Sequence, residues 1–369
     1  MDLIYEKELT PLFKIRVFPK SFLLIGVIAT IVILCGGTYY YISRAEGQPN
    51  AALQPVGEST DLSAWIVDWQ QESGEEDYGA LGSRLSELQM FAAYFDAAGH
   101  LYFKDSFRES LASDASLRQA DGGTFITIVN DRINGDGSVV QKDPELVRHL
   151  TQNKTVRQEH IREIANAADQ LDLDGVEIDY EKIKDSDWNG VVAFYNELYQ
   201  ELRRDGRKLR IVLEPSAPLK KLKLPEGPEY VVMAYNLYGS HSGPGPKADK
   251  KFIKELAGKM KPIPGNKRLA IATGGFAWNE NGEVTALTEK EADGLAALSK
   301  EGVERDIASG SLHFKYTDAD GGETTVWYAD GVTLRGWIET AREAGCSRIA
   351  IWRLGGLSQR TLEILAEIH

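Results

Sequence analysis

The fold class this 369-residue sequence predicts is α/β: a (β/α)8 TIM barrel preceded by one N-terminal transmembrane helix. Three observations predict it. Eight short β-rich apolar runs recur between residues 63 and 354, helical stripes fill several of the gaps, and one long apolar segment near the N-terminus carries no charge.

The uncharged segment comes first in the chain. No charged residue lies between Lys20 and Arg44, and Phe22 to Ile42 is a run of 21 residues, about the length that crosses ~30 Å of hydrocarbon at ~1.5 Å per residue. Tyr39, Tyr40 and Tyr41 cluster at its far end, where amphipathic rings favour the headgroup region. Lys7, Lys14, Arg16 and Lys20 precede it, whereas the fifteen residues after Arg44 contain no Lys or Arg. The positive-inside rule then puts residues 1–20 in the cytoplasm, a signal-anchor helix over 21–43 and the rest of the chain outside. A cleaved signal peptide is the competing reading, and the preceding segment and apolar run are both long for one. Leu34 before Cys35 is too large for a lipoprotein cleavage site. Residues 44–60, rich in Gly, Gln, Pro, Ala, Asn and Glu without periodicity, read as a flexible tether, so the folded unit is expected over 61–369.

The eight runs within it are SAWIVDW (63–69), QMFAAYF (89–95), TFITIVN (124–130), GVEIDYE (175–181), LRIVLEP (209–215), YVVMAYN (230–236), RLAIATGG (268–275) and RIAIWRL (348–354). Between the third and fourth, Ile161, Ile164, Ala165, Ala168 and Leu171 form one helical stripe. Similar stripes occupy 190–203, 251–258, 333–344 and 360–368. The long gap after the seventh run contains HFKYTDADGGETTVWY, two alternating aromatic arms around Asp320-Gly321-Gly322, which predicts a β-hairpin inserted there. In a barrel the loops after the strands build the active face, so functional residues are sought at strand ends.

Composition narrows the chemistry. The chain is 43% hydrophobic and 26% charged, which excludes disorder. With 55 acidic against 42 basic residues its formal charge is −13, which repels phosphate backbones and argues against nucleic acid as the main partner. A neutral polymer such as a glycan fits better. Cys35 and Cys346 stand far apart and the six histidines show no paired ligand spacing, so no metal or cofactor is expected. His241, in the loop after the sixth strand, is the one histidine near a predicted active face. Asn134-Gly135-Asp136-Gly137 reads as a turn, being too short for a calcium loop.

The fourth strand carries the chemistry. In LDLDGVEIDYEKI, apolar Val176, Ile178 and Tyr180 alternate with Glu177, Asp179 and Glu181. At a period of two the three acids share one face, roughly 6 to 7 Å apart in succession. Pointed into a barrel, such a column raises the proton affinity of at least one member and keeps a carboxyl protonated for acid catalysis near neutrality. Asp68 and Asn130, at the ends of the first and third strands, either line the cleft or cap the following turns. Trp65, Trp69, Tyr94, Trp278 and Trp327 are aromatics at strand spacing, which either stack on sugars or fill core.

Asp174-x-x-Glu177-x-Asp179-x-Glu181 resembles the D-x-x-D-x-D-x-E signature on the fourth strand of family 18 glycoside hydrolases, the chitinase-like group. Met233-Ala234-Tyr235-Asn236 is similar to that family's M-x-Y-D, and Trp352 matches the tryptophan that floors its sugar site. YGSHSGPGPKAD (238–249), the VWY arm and IWRLGG (351–356) look most like the bacterial branch that includes spore-cortex peptidoglycan hydrolases.

The resemblance implies a retaining hydrolase of β-linked N-acetylglucosamine glycans, and the apolar segment over 21–43 makes it a membrane-anchored one. It implies Glu181, Asp179 and Tyr235 as catalytic residues, with Glu177, Asn236, Met233 and Trp352 at the substrate site. Asp68 and Asn130 are counted with the substrate site from their strand ends alone. In the family the acid protonates the glycosidic oxygen while the substrate's own acetamido oxygen attacks the anomeric carbon. Three positions depart from the pattern: Glu177 stands for Asp, Asn236 stands for Asp, and TFITIVNDRIN lacks the S-x-G-G common in chitinases. The alternative reading is a glycan-binding or cell-surface assembly protein on the same barrel; retention of Glu181 favours the enzyme.

Overall fold

The computed structural model describes residues 59–318 and 321–369. The expected membrane helix and most of the tether lie outside the described residues. Among the described residues no helix is long and apolar enough to cross a membrane.

Strands β1 (Asp61–Val67), β2 (Leu85–Phe95), β3 (Leu101–Phe103), β4 (Thr124–Ile133), β5 (Val139–Val140), β6 (Gly175–Asp179), β7 (Lys208–Leu213), β8 (Glu229–Met233) and β9 (Lys267–Ala272) come first. They are followed by β10 (Gly274–Asn279), β11 (Val284–Leu287), β12 (Glu304–Arg305), β13 (Leu312–Thr317), β14 (Glu323–Ala329) and β15 (Arg348–Trp352). Eight of these close a parallel barrel in the order β1-β2-β4-β6-β7-β8-β9-β15 and back to β1. All eight predicted runs contribute one barrel strand each, and the predicted stripes become the helices Lys154–Gln170, Trp188–Leu202, Lys250–Lys259, Gly331–Glu343 and Gln359–Ala366.

The period-two alternation sorts side chains into two layers. Leu62, Ala64 and Ile66 on β1 face the helices, as do Val176 and Ile178 on β6. Trp65 and Val67 point into the barrel, where they pack with Val129, Val212, Val231, Met233 and Ala350. The lower interior is ionic: Arg210 and Arg268 lie fully buried among Glu87, Glu177, Glu229 and Asp61.

Two expectations need correction. RLAIATGG is not one strand: β9 ends at Ala272, and Gly274, at φ +59, turns the chain into β10. The expected hairpin corresponds to β13 and β14, but these are two strands of a five-stranded antiparallel sheet, β11-β10-β14-β13-β12. That sheet packs the helix Glu289–Ala296 over a small core of its own around Phe314, Val326 and Tyr328. Exposed alternation in VTAL (284–287) and the short ER pair give little apolar signal, which is why the extra strands are weak in sequence.

Two barrel strands are long. β2 and β4 rise above the rim and pair antiparallel with the short arms β3 and β5, through Ala93↔Phe103 and Arg132↔Val140. These arms form one side wall of the site.

Gly175, at the start of the acidic strand, is required for close packing. A Cβ there would lie 2.3 Å from the Phe125 ring and 2.9 Å from the Lys208 carbonyl oxygen. Gly175→Ala is expected to destabilise the full-length chain by about 1–3 kcal/mol in urea unfolding followed by tryptophan fluorescence; an unchanged midpoint would show that the strand has room there.

Candidate active site

A pocket of about 410 Å³ opens at the C-terminal ends of the barrel strands. Its floor is aromatic. Trp352, the last residue of β15, stacks on Tyr235 with ring centroids 6.4 Å apart and planes 10° from parallel. Trp65 and Phe91 hold the Trp352 ring edge-on, at 5.6 Å and 5.1 Å. Met233 ends β8 and also lines the pocket, as does Asn236 just beyond Tyr235. Asn236 sits at φ +57, a left-handed conformation that Asn and Asp adopt more readily than bulkier residues. The backbone therefore favours a short polar residue here, a condition that Asn satisfies as well as Asp does.

The acidic wall comes from β6. Strand pairing ends at Asp179, so Glu181 lies just past the strand, while Tyr180 turns outward against Phe194 and His160. Asp179 is buried in the pocket wall, and its Oδ1 has no hydrogen-bond partner. Burial, then the charges of Glu181 and Glu177, push its carboxyl well above the usual carboxylate range. Burial also pushes the Glu181 carboxyl up, against the pull of Lys142, whose ammonium lies 2.5 Å from Oε2. The Tyr235 phenol is raised by burial and by the same three acids, which keeps it a hydrogen-bond donor.

Glu177 lies beneath the pocket, fully buried, and does not line it. Its Oε1 accepts from Trp65 Nε1 at 2.6 Å and Thr127 Oγ1 at 2.7 Å, and Arg210 Nε lies 3.0 Å from Oε2. Burial pushes this carboxyl up, and Arg210 pulls it back. The extra methylene relative to Asp lets the carboxylate reach down to that guanidinium.

Asp68 and Asn130 lie behind the wall, not on it. Asp68 accepts from the Tyr94 hydroxyl at 2.8 Å and pairs with Lys104 at 3.0 Å, and it is these two partners that line the pocket. Asn130 clamps the acid's backbone: its Oδ1 accepts from Glu181 N at 2.9 Å and its Nδ2 donates to Glu181 O at 3.0 Å. Its amide also donates to the Asp143 carbonyl at 3.2 Å, tying the start of the helix Pro144–Gln152 to the site. The strand-end reading therefore found residues that support the site, and their side chains are occupied by protein partners.

The other aromatics divide. Trp69 is half exposed at the pocket rim and Tyr94 lines it, whereas Trp65 is core beneath the floor. Trp278 and Trp327 belong to the five-stranded sheet, the first donating to the Gly239 and Ser242 carbonyls and the second stacked on His313. His241 is exposed and does not line the pocket. Sequence reading missed Lys142, Asp131, Lys104 and Arg210. A signal for two of them was present: the turn Asn134–Gly137, flanked by DRI and SVV, is a hairpin pattern that folds Lys142 back beside Asp131.

The molecule is thus a (β/α)8 barrel with buried carboxyls and stacked aromatic rings in a pocket at its C-terminal face. No family model matches the chain. An uncharacterized glycosylase of Bacillus subtilis, YvbX, is 23% identical over 241 residues, 61% of this chain and 70% of that protein. The cortical fragment-lytic enzyme of Bacillus subtilis is 23% identical over 264 residues, 65% of this chain and 59% of the enzyme's length. Among solved structures, the Bacillus cereus spore cortex-lytic enzyme SleL superposes with a TM-score of 0.71 at 18% identity, covering 85% of this chain and 75% of that one. A class V chitinase from Nicotiana tobaccum, solved in complex with NAG4, gives 0.66 at 15% identity, covering 84% and 99%. The solved structures share the fold, and the curated relatives bear out the resemblance to family 18 and its spore-cortex branch. With it goes the expectation of a glycoside hydrolase.

Asp179 makes stability depend on pH. Because its folded-state midpoint lies above the ordinary 3.8, the native chain holds a proton that the unfolded chain has lost, and stability falls as pH rises from about 4. Asp179→Asn removes the ionising group. Calorimetry is expected to show a higher unfolding temperature than wild type at pH 7.5, with the gain vanishing towards pH 4; a pH-independent difference would refute the electrostatic origin.

Proposed function

We propose that this chain is a membrane-anchored, retaining hydrolase of β-linked N-acetylglucosamine polymers, acting outside the cytoplasmic membrane on peptidoglycan or a related surface glycan. The observation that carries the reading is the convergence of Glu181, Asp179 and Tyr235 on one pocket floored by Trp352. A sugar ring resting its apolar face on that indole presents its polar edge to the carboxyls. The likeness to cortex-lytic enzymes supports a peptidoglycan-type glycan.

Glu181, whose carboxyl is pushed up by burial, gives its proton to the glycosidic oxygen as the bond to the anomeric carbon breaks. The substrate's acetamido oxygen attacks that carbon from the opposite face, giving an oxazolinium ion. Asp179 Oδ1, which lacks a partner, accepts the acetamido N–H, and the Tyr235 hydroxyl donates to the acetamido oxygen, so the internal nucleophile is oriented before reaction. Glu181, now a carboxylate, takes a proton from water as it displaces the acetamido oxygen from the same carbon and opens the oxazolinium ring, and two inversions leave the configuration retained. The domain plan belongs to the same proposal: a cytoplasmic segment over 1–20, an anchor over 21–43, a tether over 44–60 and the catalytic barrel over 61–369.

The test uses the full-length chain in detergent, incubated with chito-oligosaccharides, purified peptidoglycan and poly-N-acetylglucosamine, with products read by mass spectrometry and their initial anomer by NMR. One polymer is expected to be cleaved with retention, and Glu181→Gln is expected to lower the rate by about 10²–10⁴-fold. Binding to a polymer without cleavage would favour the glycan-binding alternative instead. For topology, alkaline phosphatase fused after His369 is expected to be active in cells, and an inactive fusion of a stable protein would overturn the outward placement.

A further inference from the structure

Lys142 occupies a position that the reaction as described leaves unused. It follows the short strand β5, sits at φ +54, and donates its backbone N–H to Asp131 Oδ1 at 2.7 Å. The β4–β5 pairing and this hydrogen bond fix the point at which its side chain leaves the arm. The ammonium then reaches across the pocket wall to Glu181 Oε2 at 2.5 Å. No group among the described residues hydrogen-bonds Glu181 Oε1. The acid is therefore held from two sides, its backbone by Asn130 and one carboxyl oxygen by Lys142.

The charges facing Glu181 come from every neighbouring element. Asp179 stands on β6, Asp131 and Lys142 on the β4–β5 arm, Glu214 just after β7 and Tyr235 after β8. Glu214 is itself fixed, accepting from Lys182 N at 2.8 Å. Three carboxyls thus surround the acid, and Lys142 is the one cation within hydrogen-bond distance of it among the described residues. Burial acts to lower the proton affinity of Lys142, but the hydrogen bond to Glu181 and the negative charge shared among the surrounding carboxyls outweigh it.

We propose that Lys142 is a positioning residue for the acid: it holds Glu181 through Oε2, leaves Oε1 to address the glycosidic oxygen, and stabilises the carboxylate formed when the proton departs. The proposal rests on the reading of Glu181 as the acid. In the first step the proton moves from Oε1 to the leaving oxygen while the acetamido oxygen bonds to carbon, and the new carboxylate lies beside an ammonium already in place. In the second step water bonds to that carbon as its bond to the acetamido oxygen breaks, the water's proton returns to Glu181, and the pair is restored. Without Lys142 the carboxyl is a weaker acid, slower to protonate the leaving group and more fully protonated at neutral and higher pH.

The test compares full-length wild type, Lys142→Met and Lys142→Arg. Carbodiimide coupling, which modifies protonated carboxyls, is followed at Glu181 by peptide mass spectrometry across pH, a readout that needs no substrate. In Lys142→Met the labelling midpoint is expected to rise by about one pH unit or more, the effect of removing an adjacent opposite charge, and Lys142→Arg is expected to restore it. On the cleaved polymer, the basic limb of kcat/KM is expected to move up in step while kcat falls by about 10-fold with little change in KM. A labelling midpoint unmoved in Lys142→Met would overturn the pairing. A moved midpoint with unaltered kcat and pH profile would overturn its role in the reaction. Failure of the hydrolase reading is distinct: no polymer is cleaved by any of the three proteins, whatever the labelling at Glu181 does.

Discussion

Three acids on one face of a buried strand set the problem that the surrounding structure solves. Two unit charges at the ~6–7 Å spacing of alternate strand residues repel by about 2.5 kcal/mol at an effective dielectric constant of 20, several times RT. Glu177, Asp179 and Glu181 cannot all ionise in a closed barrel without compensation. The molecule meets this in two ways at once. Asp179 keeps its proton well above the usual carboxylate range, and a cation is supplied at each end of the column.

The lower cation is Arg210, whose side chain is almost wholly enclosed. It meets Glu177 above and Glu87 beside it, and Glu229 links it to Arg268, which reaches Asp61. The polar end of the barrel is therefore one connected set of charges. Such a set contributes little net stability compared with an apolar core, because desolvation offsets most of its attraction. Its effect is positional. It fixes Glu177 from below, and Glu177 in turn receives the Trp65 indole N–H, so the acidic column and the aromatic floor share one side chain.

Much of this was legible in sequence, for identifiable reasons. The eight barrel strands bury both faces, so VVM, IAI or IVL stand out as apolar runs, and the fourth run stands out by alternating three acids with its apolar residues. The acidic strand singled out Asp179 and Glu181, and only the resemblance to family 18 pointed to Tyr235, Met233, Asn236 and Trp352; the structure places all six along one pocket. Arg210 and Lys142 were not, because their partners are 33 and 39 residues away and nothing local to them marks the pairing. Asn130 lies not at the end of β4, which runs on to Ile133, but just past the point where β4 stops pairing with β6, and no sequence pattern tells a side chain that touches ligand from one that clamps the backbone of a neighbour. The five-stranded sheet was seen only through its aromatic arms, since VTAL and ER are short and mostly exposed and give little apolar signal.

The pocket leaves unequal freedom to its parts. Trp352 is pinned by Tyr235, Trp65 and Phe91, and the Glu181 backbone is pinned by Asn130, so floor and acid are set before any ligand arrives. Asp179 Oδ1 is different: a buried acceptor without a donor, which costs about 1–3 kcal/mol until something supplies one. A 2-acetamido N–H beside the scissile bond is such a donor; a 2-hydroxyl could donate as well but carries no acyl oxygen to serve as internal nucleophile. On the reaction proposed above, the open Asp179 Oδ1 is where the acetamido N–H of the substrate would be held. Under that proposal a barrel that satisfied Asp179 Oδ1 internally would lose its hold on the acetamido N–H, and with it part of the orientation of the internal nucleophile.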